Sequence, residues 1–189
     1  MSWLSWLMPK KSAAPKIVSR QPIKPPLSPA PKVGKRTIGG VAAAVALSIT
    51  VLIKPWEGLE TEAYPDIVGV WTVCYGETKG VRPGQKFTKA ECEDKLFTRV
   101  TADDYRPLTK CIAGFETKPV EWQASSISVA YNIGVGAACK STAAQLAREG
   151  KMRESCQAWT RFNRAGGKVV KGLVNRRAAE LRLCLKGVR

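Results

Sequence analysis

The 189-residue chain has no histidine, no acidic residue before Glu57 and no cysteine before Cys74. Cys74, Cys92, Cys111, Cys139, Cys156 and Cys184 follow no zinc-ligand spacing, and there is no histidine to complete one. We therefore expect neither a metal nor another cofactor. An aromatic sheet motif and a basic helix with a dimerisation seam are also missing, which leaves nucleic acid without a recognition element.

The missing acids mark a boundary. All 15 acidic residues lie at Glu57 or beyond, whereas nine of the 31 basic residues lie in the first 54. From Pro55 onward 22 basic residues face 15 acidic ones, a net +7. Such a surface suits an anionic bilayer or an acidic polymer such as a cell wall, although a solvated mixed-charge face reads the same way. Residues 1–36 hold seven of the 12 prolines, so helix and ladder hydrogen bonds are denied and a disordered, basic tail is expected. Trp3, Leu4, Trp6, Leu7 and Met8 are suited to a bilayer interface but are too few to anchor the chain.

The run from Thr37 to Ile53, TIGGVAAAVALSITVLI, carries no charge. As a helix it would be about 25 Å long, at the lower limit for a bilayer core of about 30 Å. Nine of its 17 residues are Gly, Ala, Ser or Thr, so it is a weak anchor. A cleaved signal peptide fits poorly, because the preceding region is long and TVLIKPW is bulky where a small-residue cleavage site is needed. A buried core helix is the other alternative. We read an uncleaved signal anchor, with residues 1–36 cytoplasmic by the positive-inside rule and residues 54–189 exported. An oxidising compartment then agrees with six cysteines confined to the exported part.

Directly beyond the run stands WEGLETEAYPDIVGVWTVCYGET, Trp56 to Thr78. Gly69 to Gly76 alternates and is rich in β-branched and aromatic residues, so it reads as a strand, with turn material before it. Glu57 would close a helix while Asp66 and Thr72 sit on a hairpin folding back beside it. Two carboxylates around one cleft suit hydrolysis of a glycosidic bond, one donating a proton and the other acting on water. Thr72 would hold that water.

This stretch resembles the catalytic segment of the phage-type lysozymes, glycoside hydrolase family 24, and most of all the endolysins of lambdoid phages with a signal-arrest-release segment. The likeness continues through YNIGVGAACKST (131–142), CQAWTRFNRAGGK (156–168) and KGLVNRRAAELRLCL (171–185), and covers essentially all of residues 53–189. It implies a mainly helical α+β, two-lobed lysozyme-like fold with a small β-hairpin lobe. It also implies that Glu57 is the general acid, that Asp66 acts on the hydrolytic water, and that Thr72 positions it. The substrate implied is peptidoglycan, cut with inversion between N-acetylmuramic acid and N-acetylglucosamine. Arg176 would pair with Glu57 and hold it, and Tyr131 and Ser141 are assigned to substrate binding. Two departures stand out: Glu77 replaces the histidine of many relatives' YGHT, and Asp66 stands where some anchored relatives carry cysteine.

In the remainder, Thr88 to Glu91 is a capping box opening a helix with Cys92, Leu96 and Val100 on one stripe. A central helix is expected from Glu121, a short one capped by Ser141 and ending at Gly150, and a last one over Leu173–Leu185. Asn132 and Trp159 are expected to be core or to support the site. Six cysteines allow 15 pairings; the expected proximity of lobes and ends favours Cys74–Cys92, Cys111–Cys139 and Cys156–Cys184.

The expected protein is a monomer with peptidoglycan as substrate. It is held in the host inner membrane by residues 37–53 with the catalytic domain outside, then released to the periplasm for host lysis. Membrane insertion would keep the cleft from forming, and release would let the weak anchor complete it. No cysteine lies in the run, so refolding rather than disulfide exchange is expected to activate the enzyme. The rivals are a non-enzymatic cationic membrane- or wall-binding protein on the same scaffold, and a soluble cytosolic chitin-cleaving enzyme.

Overall fold

Residues 40–53 of the uncharged run before Glu57 fold as a helix with one face buried in protein. The structure, a computed structural model, describes residues 40–66 and 69–188. Helix α1 spans Gly40–Leu47 and continues as a π-helical turn over Ser48–Ile53. Ala44, Val45, Ser48, Ile49, Leu52 and Ile53 are buried, while Val41 and Val51 are exposed. This is a one-sided helical stripe, and it lies against α4, Val120–Ile133. Small residues leave the two backbones free to approach. The expected membrane segment is therefore a core helix in this structure, and no helix among the described residues is long and apolar enough to cross a membrane. The expected tail and Thr37 to Gly39 lie outside the described residues.

The helix stops where Pro55 supplies no N–H. A turn over Lys54–Trp56 follows, and the Glu57 N–H still donates to the Ile53 carbonyl at 3.2 Å. Strands β1 (Glu60–Pro65) and β2 (Trp71–Cys74) then pair antiparallel, with Tyr64 opposite Thr72 and an irregular register between Glu60 and Tyr64. The strand expected to reach Gly76 ends at Cys74, whose φ of 57° turns the backbone out of the extended region.

Helix α2, Lys89–Arg99, opens on the Thr88–Glu91 capping box. It runs through a π-helical turn, Val100–Tyr105, into α3, Arg106–Cys111. Helix α4 is buried at every position from Trp122 to Ala130, as befits a helix surrounded by others. Helix α5 is Val135–Cys139. Helix α6, Thr142–Arg148, is capped by the Ser141 hydroxyl, and Gly150 takes the left-handed backbone beyond its end. Helix α7 is Met152–Ala158, and a short hairpin of β3 (Arg164–Ala165) and β4 (Lys168–Val169) leads into α8, Lys171–Gly187, which packs on α4.

The fold is mainly helical α+β, with one core reaching from α1 to α8. Tyr105, Phe115 and Trp122 meet edge to face within it. Disulfides join Cys74 to Cys92, Cys111 to Cys139 and Cys156 to Cys184, tying β2 to α2, α3 to α5 and α7 to α8.

Candidate functional site

Glu57 is positioned from two sides. Its backbone hangs from the end of α1, and its carboxylate accepts a 2.9 Å hydrogen bond from Arg176 Nη1. Arg176, on the second turn of α8, is itself buried. Its Nε lies 3.6 Å from Glu180 one turn on, and Arg177 pairs with the same carboxylate at 2.6 Å. The Ser128 hydroxyl of α4 donates to Glu180 at 2.7 Å. Burial pushes the Glu180 carboxyl up, against the opposing pull of Arg177, Ser128 and Arg176. The chain Ser128–Glu180–Arg176–Glu57 thus links the central helix to one candidate carboxylate. Arg176 is buried between two carboxylates, so removing either would leave its charge less well paired in the interior.

Asp66 and Thr72 share the hairpin that starts three residues beyond Glu57. Asp66 follows the last residue of β1. Its Oδ1 accepts from the Val70 N–H at 2.9 Å, and its own N–H donates to the Val70 carbonyl at 2.9 Å. The carboxylate therefore braces the turn that carries it. Thr72 is only 6 % exposed, and its hydroxyl donates to the Val70 carbonyl at 3.1 Å. With its proton so placed, the oxygen presents lone pairs, which can accept a hydrogen bond from water.

Tyr131 and Ser141 have their hydroxyls committed inside the protein. Tyr131 donates to the Tyr75 carbonyl at 2.8 Å, and burial pushes its phenol up to about 12. Ser141 donates to the Ala138 carbonyl and accepts from the Ala144 N–H. Trp159 is buried beside Phe162, whereas Asn132 is exposed at the end of α4 and is not core. Glu77 caps its own turn, its carboxylate accepting from the N–H groups of Thr78 and Lys79.

Ser128, Glu180 and Arg99 escaped the sequence reading. Glu180 did carry a signal, as the single acid among the five basic residues of α8 and one turn from Arg176. Arg99 carried none. A surface cavity of about 490 Å³ lined by Pro119, Lys151, Arg153, Glu154 and Val188 contains none of the candidate site residues.

The phage lysozyme family model matches residues 54–180. The SAR-endolysin of Enterobacteria phage P21 is 36% identical over 154 residues, spanning 79% of this chain and 92% of that protein. The SAR-endolysin of Pseudomonas phage phiKMV is 36% identical over 156 residues, spanning 80% and 92%. Among solved structures, the active form of P1 phage endolysin Lyz superposes with a TM-score of 0.65 at 23% identity, covering 80% of this chain and 97% of that one, a likeness of fold. The family-model range spans Glu57, Asp66, Thr72 and Arg176, and by that match and these relatives the chain belongs to the phage lysozyme family.

Proposed function

We propose that this protein is a phage or prophage endolysin that hydrolyses the β-1,4 bond between N-acetylmuramic acid and N-acetylglucosamine in peptidoglycan. Membership of the phage lysozyme family supports the activity. The observation that carries the site assignment is Glu57 held by buried Arg176 three residues before the hairpin that bears Asp66 and Thr72.

In this reading Glu57 gives its proton to the leaving glycosidic oxygen while positive charge develops on the sugar. Asp66 draws the proton from a water, and Thr72, whose own proton is directed to Val70, accepts a hydrogen bond from that water and aims it. Attack from the face opposite the leaving group inverts the anomeric centre. The enzyme acts as a monomer.

We place the protein first at the inner membrane through residues 37–53, with the catalytic part outside, and then in the periplasm. The SAR-endolysin relatives support this course, as does the composition of the run. An uncharged helix with one buried stripe can be covered by lipid or by α4. Only the second arrangement packs the helix that ends beside Glu57 against the rest of the catalytic part.

Glu57→Gln tests the chemistry, because the amide keeps the shape and cannot donate the proton. Clearing of purified peptidoglycan is expected to fall about 10²–10⁴-fold, the usual contribution of a general acid. Undiminished lysis of cells and walls by this variant would instead make the protein a cationic membrane- or wall-disrupting agent on a lysozyme scaffold.

A further inference from the structure

We infer that Arg99 and Tyr131 are positioning residues for the proposed hydrolysis, acting on the three-residue loop Cys74–Gly76 that ends β2. The inference rests on the lysozyme reading above. Val73 and Glu77 exchange both backbone hydrogen bonds, at 2.9 and 2.8 Å, and close the loop between them. Cys74 has the only left-handed backbone of any non-glycine residue described, and Gly76 is also left-handed at φ 83°. A side-chain-bearing residue keeps that conformation only where its surroundings over-determine it, and such strain gathers at functional sites.

Each loop residue is fastened to the helical lobe. Cys74 is bonded to Cys92 of α2. The Tyr75 carbonyl accepts from the Tyr131 hydroxyl of α4 at 2.8 Å. The Gly76 carbonyl accepts from Arg99 Nη1 of α2 at 3.1 Å. Arg99 also lies over the Tyr131 ring, 4.8 Å from its centroid, so the two fastenings brace each other. The disulfide fixes the end of β2, and the two carbonyl contacts set the hairpin's angle to the helical lobe. That angle decides where Asp66 and Thr72 stand relative to Glu57, which is held separately by α1 and α8. The positioning role invokes no substrate contact by Arg99 or Tyr131, and it replaces the substrate binding expected of the Tyr131 phenol, whose hydroxyl is committed to Tyr75.

The test uses the full-length, disulfide-bonded protein acting on soluble, uncross-linked glycan strands prepared from peptidoglycan. Tyr131→Phe deletes one oxygen, Arg99→Gln deletes the charge and the stacking, and Arg99→Lys keeps a donor. The expected result for Tyr131→Phe and Arg99→Gln is a kcat loss of about 10-fold or more, since misplacement by about 1 Å costs on the order of 10²-fold. KM should stay within about twofold, because no substrate contact is removed. Their double variant should lose less than the product of the single losses, as for two groups bracing one loop. Arg99→Lys should recover part of the Arg99→Gln loss.

Unchanged kcat in both singles and the double, with Glu57→Gln inactive in the same assay, would overturn the positioning role and leave the lysozyme reading standing. A kcat loss that only follows the folded fraction, measured by circular dichroism at the assay temperature, would also overturn it. Full activity of Glu57→Gln would overturn both.

Discussion

Asp104 shows what burial does to a single charge. It sits in the π-helical turn after α2, 6 % exposed, and desolvation pushes its carboxyl up to about 7, only partly offset by Arg99. The unfolded chain releases this proton near the ordinary carboxylate value of about 4. Between those two values the folded state holds a proton that the unfolded state has lost, so this residue's contribution to stability falls as pH rises from about 4 to about 7 and is level beyond. Asp104→Asn is therefore expected to raise stability at pH 8 by about 1–3 kcal/mol and to flatten the profile between pH 4 and 7. Urea unfolding of both proteins at pH 5 and pH 8 checks this; an equal difference at the two pH values would show that the carboxyl does not titrate there. At this scale the sequence was legible where chemistry selects residue type. Glu57, Asp66 and Thr72 were picked out by their setting in Trp56 to Thr78 rather than by spacing alone, and the hairpin reading placed the last two together. Arg99 was not legible, since an arginine on a helix looks the same whether it faces water or a carbonyl from a distant loop.

Helix α1 is the element whose role composition left open. Leu52 and Ile53 are almost fully buried, and each such side chain contributes about 1.5–3 kcal/mol by leaving water. Leu52→Ala should cost about 2–5 kcal/mol, read from the shift in thermal or urea unfolding of the soluble protein. Ser48 is different: its hydroxyl is buried with no hydrogen-bond partner among the described residues. Ser48→Ala should stabilise the folded protein by about 1 kcal/mol, because a desolvated hydroxyl without a partner is a net cost. A destabilised Ser48→Ala protein would mean that the hydroxyl has a partner in solution. The capping boundaries of α2 and α6 were legible because caps are local, settled by a hydroxyl and backbone N–H groups within one turn. The end of β2 was not, because the turn at Cys74 is held by contacts from α2 and α4 as well as by the Val73–Glu77 hydrogen bonds.

For the whole molecule, the question is whether residues 40–53 belong to the enzyme or only tether it. One hydrophobic core contains Ala44, Val45, Ile49 and Ile53 together with Trp122, Ile127 and Cys184. A chain begun at Lys54 keeps every carboxylate, yet it would expose the face of α4 that these residues cover and would free the backbone of Glu57 from Ile53. It is expected to clear purified peptidoglycan at least about 10²-fold more slowly than full-length protein released from membranes, since a catalytic group displaced by about 1 Å already costs that much. Equal rates from the two proteins would make the helix a tether alone and would remove the refolding step from the proposal.

By itself the sequence determined the charge boundary near residue 54, the helix caps, and the order of carboxylate, carboxylate and hydroxyl after the apolar run. All of these are local in the chain, so residue type and spacing express them directly. Tertiary structure decided which surface covers the apolar run, what holds Glu57 through Arg176 and Glu180, and what turns the chain at Cys74. The physical reason is the same in each case. An uncharged helix is equally satisfied by lipid or protein, and a guanidinium by water or a carboxylate, until the fold supplies the neighbour.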